Sequence, residues 1–69
     1  MTNNTGSALD AAALGPGDHV EVHGNGHIRY SGYIEDTMPQ LNIVWIRELR
    51  TGERRMLFTD ECRIFRDGT

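Results

Sequence analysis

From Asp18 to Phe65 the chain consists of short apolar runs that turn-forming residues repeatedly interrupt. The first run, DHVEVH, alternates apolar and polar residues, so Val20 and Val22 share one face of a strand. Four further runs follow, with glycine-, proline- or aspartate-containing segments between them: HIRYSGYIEDT, LNIVWIREL, RRMLFT and RIF. Gly32, inside the second run, predicts a bend or a bulge. The pattern predicts five short strands, and therefore an all-β chain folded as a small barrel or sandwich.

The segment that precedes these runs has a different character. Residues 1–6 are small and polar, and we expect them to be disordered. In SALDAAALGPG, Ser7 is suited to cap a short helix of about two turns, which Gly15 and Pro16 would end. A helix of that length is unstable alone and needs a surface to pack on. We therefore expect a flexible N-terminus with a short helix over residues 1–15 and a β domain over residues 16–67.

The size of the chain and its single thiol restrict how it can be stabilised and where it can work. Sixty-nine residues make one domain, and domains this small usually gain stability from disulfides, a metal or a partner. Cys62 is the only cysteine, so no disulfide can form within the chain. A lone thiol, no signal peptide and no apolar run long enough for a bilayer lead us to expect a cytoplasmic protein that enters no membrane.

The stretch HVEVHGNGH places three histidines four residues apart: His19, His23 and His27. A three-residue loop over 24–26 keeps the apolar side chains on one face, because it pairs Val22 with Ile28 and, two residues further along, Val20 with Tyr30. In the same register Glu21 faces Arg29, His23 faces His27, and His19 faces Ser31.

In this arrangement His23 and His27 are weak candidates for a metal site on the outer face of the hairpin. Glu21 is a possible third ligand, but Arg29 competes for its carboxylate. A structural zinc ion takes four protein ligands and a catalytic one takes three. We therefore expect solvent-facing strand histidines, with no metal and no other cofactor.

The strands on either side of RTGE carry apolar side chains on both faces. A turn centred on Thr51 and Gly52 pairs Glu48 with Arg55, whereas a three-residue loop would oppose Arg47 to Arg55. The favoured register also pairs Ile46 with Leu57, Trp45 with Phe58, and Arg47 with Met56. One face then carries Val44, Ile46 and Leu57, and the other carries Ile43, Trp45, Met56 and Phe58, edged by Arg47 and Arg54. The second face must be covered by the N-terminal helix, another subunit or a ligand.

The combination of aromatic and arginine residues on the second face is typical of protein interfaces. We expect it to bind a protein partner or a second copy of the chain, through Tyr33, Trp45, Arg47, Arg54, Met56 and Phe58. RNA or DNA binding is the alternative, with bases stacked on rings and phosphates held by arginine. Its candidate residues are Arg47, Arg50, Arg54 and Arg55. All seven basic residues are arginines, but the net charge of −3 is unfavourable for binding a polyanion.

Sequence signatures of enzymes are absent. The chain contains no G-x-x-x-x-G-K, G-x-S-x-G or H-E-x-x-H motif. Cys62 has Arg63 beside it, yet we expect a buried structural thiol there and not a nucleophile. We therefore expect a non-enzymatic protein, with an enzyme whose site forms between the subunits of an oligomer as a further alternative.

Four segments, GDHVEVHG, SGYIED, NIVWI and LFTDECRI, resemble parts of SH3-like and Tudor-like barrels over Pro16–Arg66. The resemblance implies a small five-stranded SH3-like barrel whose fourth strand passes through one tight helical turn into the fifth. The first segments are also similar to small actinobacterial Tudor-like proteins, which implies a bacterial source. A Tudor-type aromatic cage would draw on Tyr30, Tyr33, Trp45 and Phe58.

Sm-like proteins are a rival resemblance, since they also combine an N-terminal helix with five bent strands. Gly32, Asp36 and Met38 stand near the positions where that family has glycine, aspartate and methionine. Pro39 replaces the usual asparagine, and the Arg-Gly-Asp-like element of the fourth segment is missing. This resemblance implies RNA binding by a ring of subunits.

Overall fold

The structure of the protein is a computed structural model, which describes residues 8–24 and 29–66. Within these ranges the chain is all-β, as the sequence predicts. The elements are a 3₁₀ turn (Ala11–Ala13), β1 (His19–His23), β2 (Arg29–Met38), a second 3₁₀ turn (Pro39–Leu41), β3 (Ile43–Glu48), β4 (Arg54–Phe58) and β5 (Arg63–Arg66). The strands form one antiparallel sheet in the order β4-β3-β2-β1-β5. Neither 3₁₀ turn has the length and apolarity that crossing a membrane as a helix requires, and no other helix occurs in the described ranges.

The apolar core lies on one face of this sheet. The alternation in β1 places Val20 and Val22 in it, and both are fully buried. Among the described residues, the buried apolar ones are Ala11, Leu14, Val20, Val22, Ile34, Val44, Ile46 and Ile64. Leu9, Tyr30, Leu57 and Cys62 pack against this set while remaining partly exposed. The two-residue periodicity of the sequence therefore predicts the core-facing side of the strands correctly.

The predicted two-turn N-terminal helix is wrong, since the segment forms only the single 3₁₀ turn over Ala11–Ala13. Asp10 and Leu14, which flank the turn, have extended backbones. Other hydrogen bonds replace the missing helical ones. The Leu9 N–H donates to the Ile64 carbonyl of a distant strand at 2.8 Å, and the Gly15 N–H donates locally to the Asp18 carboxylate at 2.9 Å. Ser7, the predicted cap, lies outside the described residues.

The predicted register of the first hairpin is wrong by two residues. Val22 pairs with Tyr30, and His23 pairs with Arg29 instead of His27. The remaining β1 pairs are Glu21 with Ser31, Val20 with Gly32, and His19 with Tyr33. The strands are joined by a longer connection, in which residues 25–28 lie outside the described part of the chain. A shift of two residues preserves the face on which each side chain lies.

The irregularity in β2 occurs at Glu35 and not at Gly32. The pairing with β3 changes register between Ile34 and Asp36, which leaves Glu35 as an extra residue. Gly32 is needed for a different reason, because a Cβ atom there would overlap the carbonyl oxygen of Arg47 and lie 3.3 Å from Cδ1 of Ile46. Gly32 therefore allows two strands to approach closely.

The second hairpin also differs by two residues from the predicted register. Trp45 pairs with Met56 and Arg47 pairs with Arg54, so the predicted opposition of Glu48 to Arg55 is wrong. The other β3–β4 pairs are Ile43 with Phe58, Val44 with Leu57, and Ile46 with Arg55. The connection over residues 49–52 is closed by hydrogen bonds of 2.8 Å from the Glu48 N–H to the Glu53 carbonyl and from the Gly52 N–H to the Glu48 carbonyl.

Candidate interaction surface

The six residues that the sequence marks for partner binding lie on one face of β2, β3 and β4, opposite the core. They occupy adjacent cross-strand rows: Tyr33, Arg47 and Arg54 in one, Trp45 and Met56 in the next, and Phe58, beside Ile43, in the third. We call the surface formed by Tyr33, Trp45, Arg47, Arg54, Met56 and Phe58 the aromatic–arginine face. Its location follows from the alternation of side chains along β3 and β4.

Large apolar side chains on this face remain accessible to solvent. Tyr33 is 44% exposed, Met56 is 43% exposed and Phe58 is 40% exposed. Trp45 is half-buried between them. Residues 8–15, the described part of the N-terminal segment, do not cover this surface, since Ala11 and Leu14 belong to the core on the other side of the sheet.

The two arginines of the face are held in place by one carboxylate. Arg47 donates from Nε to Oε2 of Glu35 at 2.9 Å, and Arg54 donates from Nε to Oε1 of Glu35 at 2.8 Å. Arg47 also donates from Nη1 to the Gly52 carbonyl at 3.0 Å. These hydrogen bonds, from Arg47 first and then from Arg54, hold the pKa of Glu35 below its ordinary value. Both guanidinium groups are engaged by this carboxylate, and the cluster of two arginines and one glutamate keeps a net charge of +1.

Arg54 lies over the ring of Trp45, with its Cζ atom 4.2 Å from the ring centroid. Guanidinium groups bind aromatic faces at this distance through the quadrupole of the ring. Because Glu35 fixes the Nε end of the same guanidinium, Arg54 is oriented by a carboxylate on one side and an indole on the other. These two contacts restrict the orientation of the Arg54 side chain.

Sequence reasoning missed Glu35, which is the central residue of this arrangement. It also rejected pairings that oppose two arginines, whereas Arg47 and Arg54 are direct cross-strand neighbours. The carboxylate that relieves their repulsion comes from a third strand, at the position where β2 has its extra residue. The only signal in the sequence was the acidic residue Glu35 in the second apolar run. Pairing β3 with β4 alone does not show which residues its carboxylate contacts.

The four arginines of the nucleic-acid alternative do not form one continuous strip. Arg47 and Arg54 lie on the aromatic–arginine face, whereas Arg55 lies on the opposite side of β4. Arg55 donates from Nε to Glu48 at 2.7 Å and from Nη2 to Glu53 at 3.0 Å. Arg50 stands in the connection between β3 and β4, where it lines a recess of about 320 Å³ that Tyr30 and Leu49 also border.

Glu48 is the one charged residue among those described that is buried, at 6% exposure. The hydrogen bond from Arg55 is the main reason that its pKa lies below the ordinary value, and Thr51 adds a second hydrogen bond at 3.1 Å. Arg55 in turn lies over the ring of Tyr30, with its Cζ atom 5.4 Å from the centroid. Tyr30 thus packs with Arg55 and the core, away from the other three rings of the expected aromatic cage.

His19 and His23 pack against rings on the outer side of β1. The His19 ring centroid is 5.0 Å from that of Tyr33, and the His23 centroid is 4.8 Å from that of Phe65. Nε2 of His23 lies 3.2 Å from a Glu21 carboxylate oxygen without the alignment of a hydrogen bond. In residues 8–24 and 29–66 no three histidine, cysteine, aspartate or glutamate side chains come together as metal ligands. The other candidate, His27, lies outside these ranges.

Cys62 borders a second recess, of about 380 Å³, that is also lined by His23, Thr59 and Arg63. Partial burial raises the pKa of the Cys62 thiol, and Sγ contacts the Phe58 carbonyl at 3.5 Å. Arg63 therefore does not activate this thiol as a nucleophile. The chain matches no family model, no curated protein and no solved structure.

Proposed function

We propose that the chain is a non-enzymatic, SH3-like module, an incompletely closed barrel with β4 and β5 as its edges, that binds a protein surface, in the first instance a second copy of itself, through the aromatic–arginine face. The link between β4 and β5 supports the SH3-like assignment. There the Glu61 N–H donates to the Phe58 carbonyl at 2.9 Å, which closes the single tight turn expected between the fourth and fifth strands.

The observation that supports this proposal most directly is the exposure of Tyr33, Met56 and Phe58 on one side of a three-strand surface. Contiguous apolar surface of this kind, rimmed by polar groups, marks an interaction site. Aromatic residues, methionine and arginine are also the residue types enriched at protein interfaces. The surface therefore has the composition that a protein partner would cover.

The charges of the face favour an apolar partner over a polyanion. Arg47 and Arg54 already share the carboxylate of Glu35, so neither guanidinium group is without a carboxylate when a protein covers the face, and one net positive charge is left for the partner to meet. A phosphate backbone would have to compete with that carboxylate for both guanidinium groups. Protein binding is consequently the function that this geometry supports best.

The test is solution mass by light scattering over a range of protein concentrations, with and without a short single-stranded oligonucleotide. We expect the wild-type mass to rise above that of one chain with concentration, and Met56→Ser to remain at one chain, because serine removes apolar area from the face. Leu49→Ser is the matched control: Leu49 is 49% exposed, but lies in the connection between β3 and β4.

Three results would contradict the proposal. A wild-type monomer that takes up the oligonucleotide, with binding that weakens steeply as salt rises, would identify a nucleic-acid protein instead. A wild-type protein that stays monomeric at every concentration and binds no oligonucleotide would show that the chain does not self-associate. Equal loss of association in Met56→Ser and Leu49→Ser would assign it to a different surface.

A further inference from the structure

The two edges of the sheet differ in what lies against them. At β5, the N-terminal segment occupies part of the outer side, because the Leu9 N–H donates to the Ile64 carbonyl. At β4, no described residue pairs with the outer side except at its end, where the Phe58 carbonyl accepts from the Glu61 N–H. Within the described part of the chain, β4 is therefore the open edge.

The hydrogen bonds that flank β3 and β4 show which backbone groups of β4 point outward. The Glu48 N–H donates to the Glu53 carbonyl, and the Thr59 N–H donates to the Asn42 carbonyl. Antiparallel ladders alternate bonded and non-bonded pairs, so Arg55 and Leu57 bond to β3. The backbone groups of Arg54 and Met56, and the Phe58 N–H, consequently point away from the sheet.

This edge lacks most of the features that prevent strands from pairing with other chains. β4 contains no proline, no lysine and no bulge, and its pairing with β3 is uninterrupted over all five residues. Its two charged residues, Arg54 and Arg55, already have carboxylate partners in Glu35 and Glu48. An unprotected edge next to exposed apolar side chains is a template for adding a strand.

We propose that β4 pairs antiparallel with β4 of a second copy, about a two-fold axis at Met56; this rests on the proposed function and names the contact. The outward groups of Met56 then bond to the partner's Met56, and the Phe58 N–H donates to the carbonyl of the partner's Arg54. Arg54 lies opposite the partner's Phe58, and Arg55 lies opposite the partner's Leu57. No like charges face each other.

The two neighbouring registers of the β4–β4 pairing are less favourable. A two-fold axis at Arg55 would place two arginines directly opposite each other, which is destabilising. An axis at Leu57 would pair Arg55 with the partner's Thr59, in the turn that follows β4, and would lose part of the ladder. The axis at Met56 uses all five residues of β4 and brings Arg54, Met56 and Phe58 of the aromatic–arginine face into cross-strand contact with the partner.

The first experiment uses the opposition of Arg54 to the partner's Phe58. Phe58→Glu would place a carboxylate opposite Arg54, and Phe58→Arg would place a second arginine there. We expect the dimer dissociation constant of Phe58→Arg to exceed that of Phe58→Glu by about tenfold or more, because two symmetry-related pairs change together. Both variants remove the same ring, so loss of apolar surface cancels in the comparison.

The second experiment uses the position of the axis. In a Cys62→Ser background, Met56→Cys would place two thiols across the axis, at a backbone separation that a disulfide spans. We expect rapid formation of a covalent dimer on mild oxidation. Glu21→Cys, at an exposed position of β1, is the control and should cross-link only slowly.

The outcomes separate this inference from the function on which it rests. If Phe58→Arg and Phe58→Glu weaken association equally, or if Met56→Cys cross-links no faster than Glu21→Cys, the β4 pairing is overturned. If Met56→Ser still abolishes association in that case, the aromatic–arginine face remains the proposed binding surface and only the β4 pairing is wrong. A wild-type monomer at all concentrations would overturn both.

Discussion

Glu35 shows how one residue organises the surface around it. It is the extra residue of β2, and its carboxylate lies between Arg47 and Arg54, which would otherwise repel each other across β3 and β4. The same carboxylate orients the guanidinium that lies over Trp45. Removing its charge should therefore affect both stability and the shape of the face.

The lowered pKa of Glu35 leads to a prediction about acid. Because the folded-state pKa lies below the ordinary value of 4.5, the carboxylate stabilises the fold above pH 4.5, and this contribution disappears as the pH falls through the folded-state pKa. We expect the free energy of unfolding of Glu35→Gln to depend less on pH below 4.5 than that of the wild type. Urea titrations at several pH values between about 6 and about 2.5 would measure the free energy of unfolding of both proteins.

The control is Glu61→Gln, which removes an exposed carboxylate that forms no ion pair in the described part of the chain. Its acid dependence should match that of the wild type. Asp18 and Glu48 also have lowered pKa values, through the Gly15 N–H and Arg55 respectively, so Glu35→Gln should retain part of the acid sensitivity. Identical curves for Glu35→Gln and the wild type would contradict a stabilising role of this carboxylate.

Gly32 leads to a second prediction at the scale of a residue. Gly32→Ala would push a Cβ atom into the Arg47 carbonyl oxygen and against Ile46, so β2 and β3 would have to separate. We expect a loss of about 1–3 kcal/mol, as is usual for overpacking. Gly15→Ala is the control, since a Cβ atom there meets nothing within 4 Å. Equal urea midpoints for the two variants would refute the close approach.

Among the elements, the N-terminal segment departs furthest from its predicted structure and yet belongs to the core. Ala11 is 1% exposed and Leu14 is 6% exposed, and both pack with the buried residues of the strands. Arg66 of β5 secures the same segment, since it donates to the Ala13 carbonyl and lies 3.1 Å from an Asp18 carboxylate oxygen. The segment acts as a cover for the sheet and not as an appendage.

Leu14→Ala should therefore destabilise the whole fold. We expect a loss of about 2–5 kcal/mol, because the substitution removes buried methyl groups and leaves a cavity. Leu41→Ala, at a leucine that is 53% exposed, should change the free energy of unfolding by less than about 0.5 kcal/mol. Chemical denaturation followed by Trp45 fluorescence measures both, and similar effects for the two variants would show that the segment does not support the core.

The two hairpins share a lesson about strands. In both, the predicted register differs by two residues from the observed one, while the division of side chains between faces is correct. The face of a side chain depends only on whether its position in the strand is odd or even. The register depends in addition on the length and geometry of the loop that joins the two strands. The connection over residues 49–52 closes through backbone hydrogen bonds to Glu48, a geometry that the turn residues did not specify.

At the scale of the whole molecule, the sheet has a protected centre and an open side. β2 and β3 have strands on both sides, β5 is partly covered by Leu9, and β4 has a free outer side in the described part of the chain. The aromatic–arginine face adjoins that free side. The aromatic–arginine face and the open edge therefore coincide at β4, the strand at which we propose that a second chain attaches.

Amide hydrogen exchange tests this arrangement. In dilute protein, we expect slow exchange at Arg55 and Leu57, whose N–H groups bond to β3, and fast exchange at Arg54 and Met56, whose N–H groups point outward. At concentrations where the mass doubles, Met56 should become protected. Protection of Arg54 and Met56 in the dilute monomer would contradict the open edge.

The sequence by itself determined the all-β class, the five strands and the face on which each strand residue lies, because these follow from local alternation and turn residues. It also grouped the six residues of the aromatic–arginine face. Only the tertiary structure decided the registers, the conversion of the N-terminal helix into a 3₁₀ turn, and the role of Glu35. Each of these depends on contacts between distant segments, such as Leu9 with Ile64 and Glu35 with Arg54, whose energies outweigh local preference.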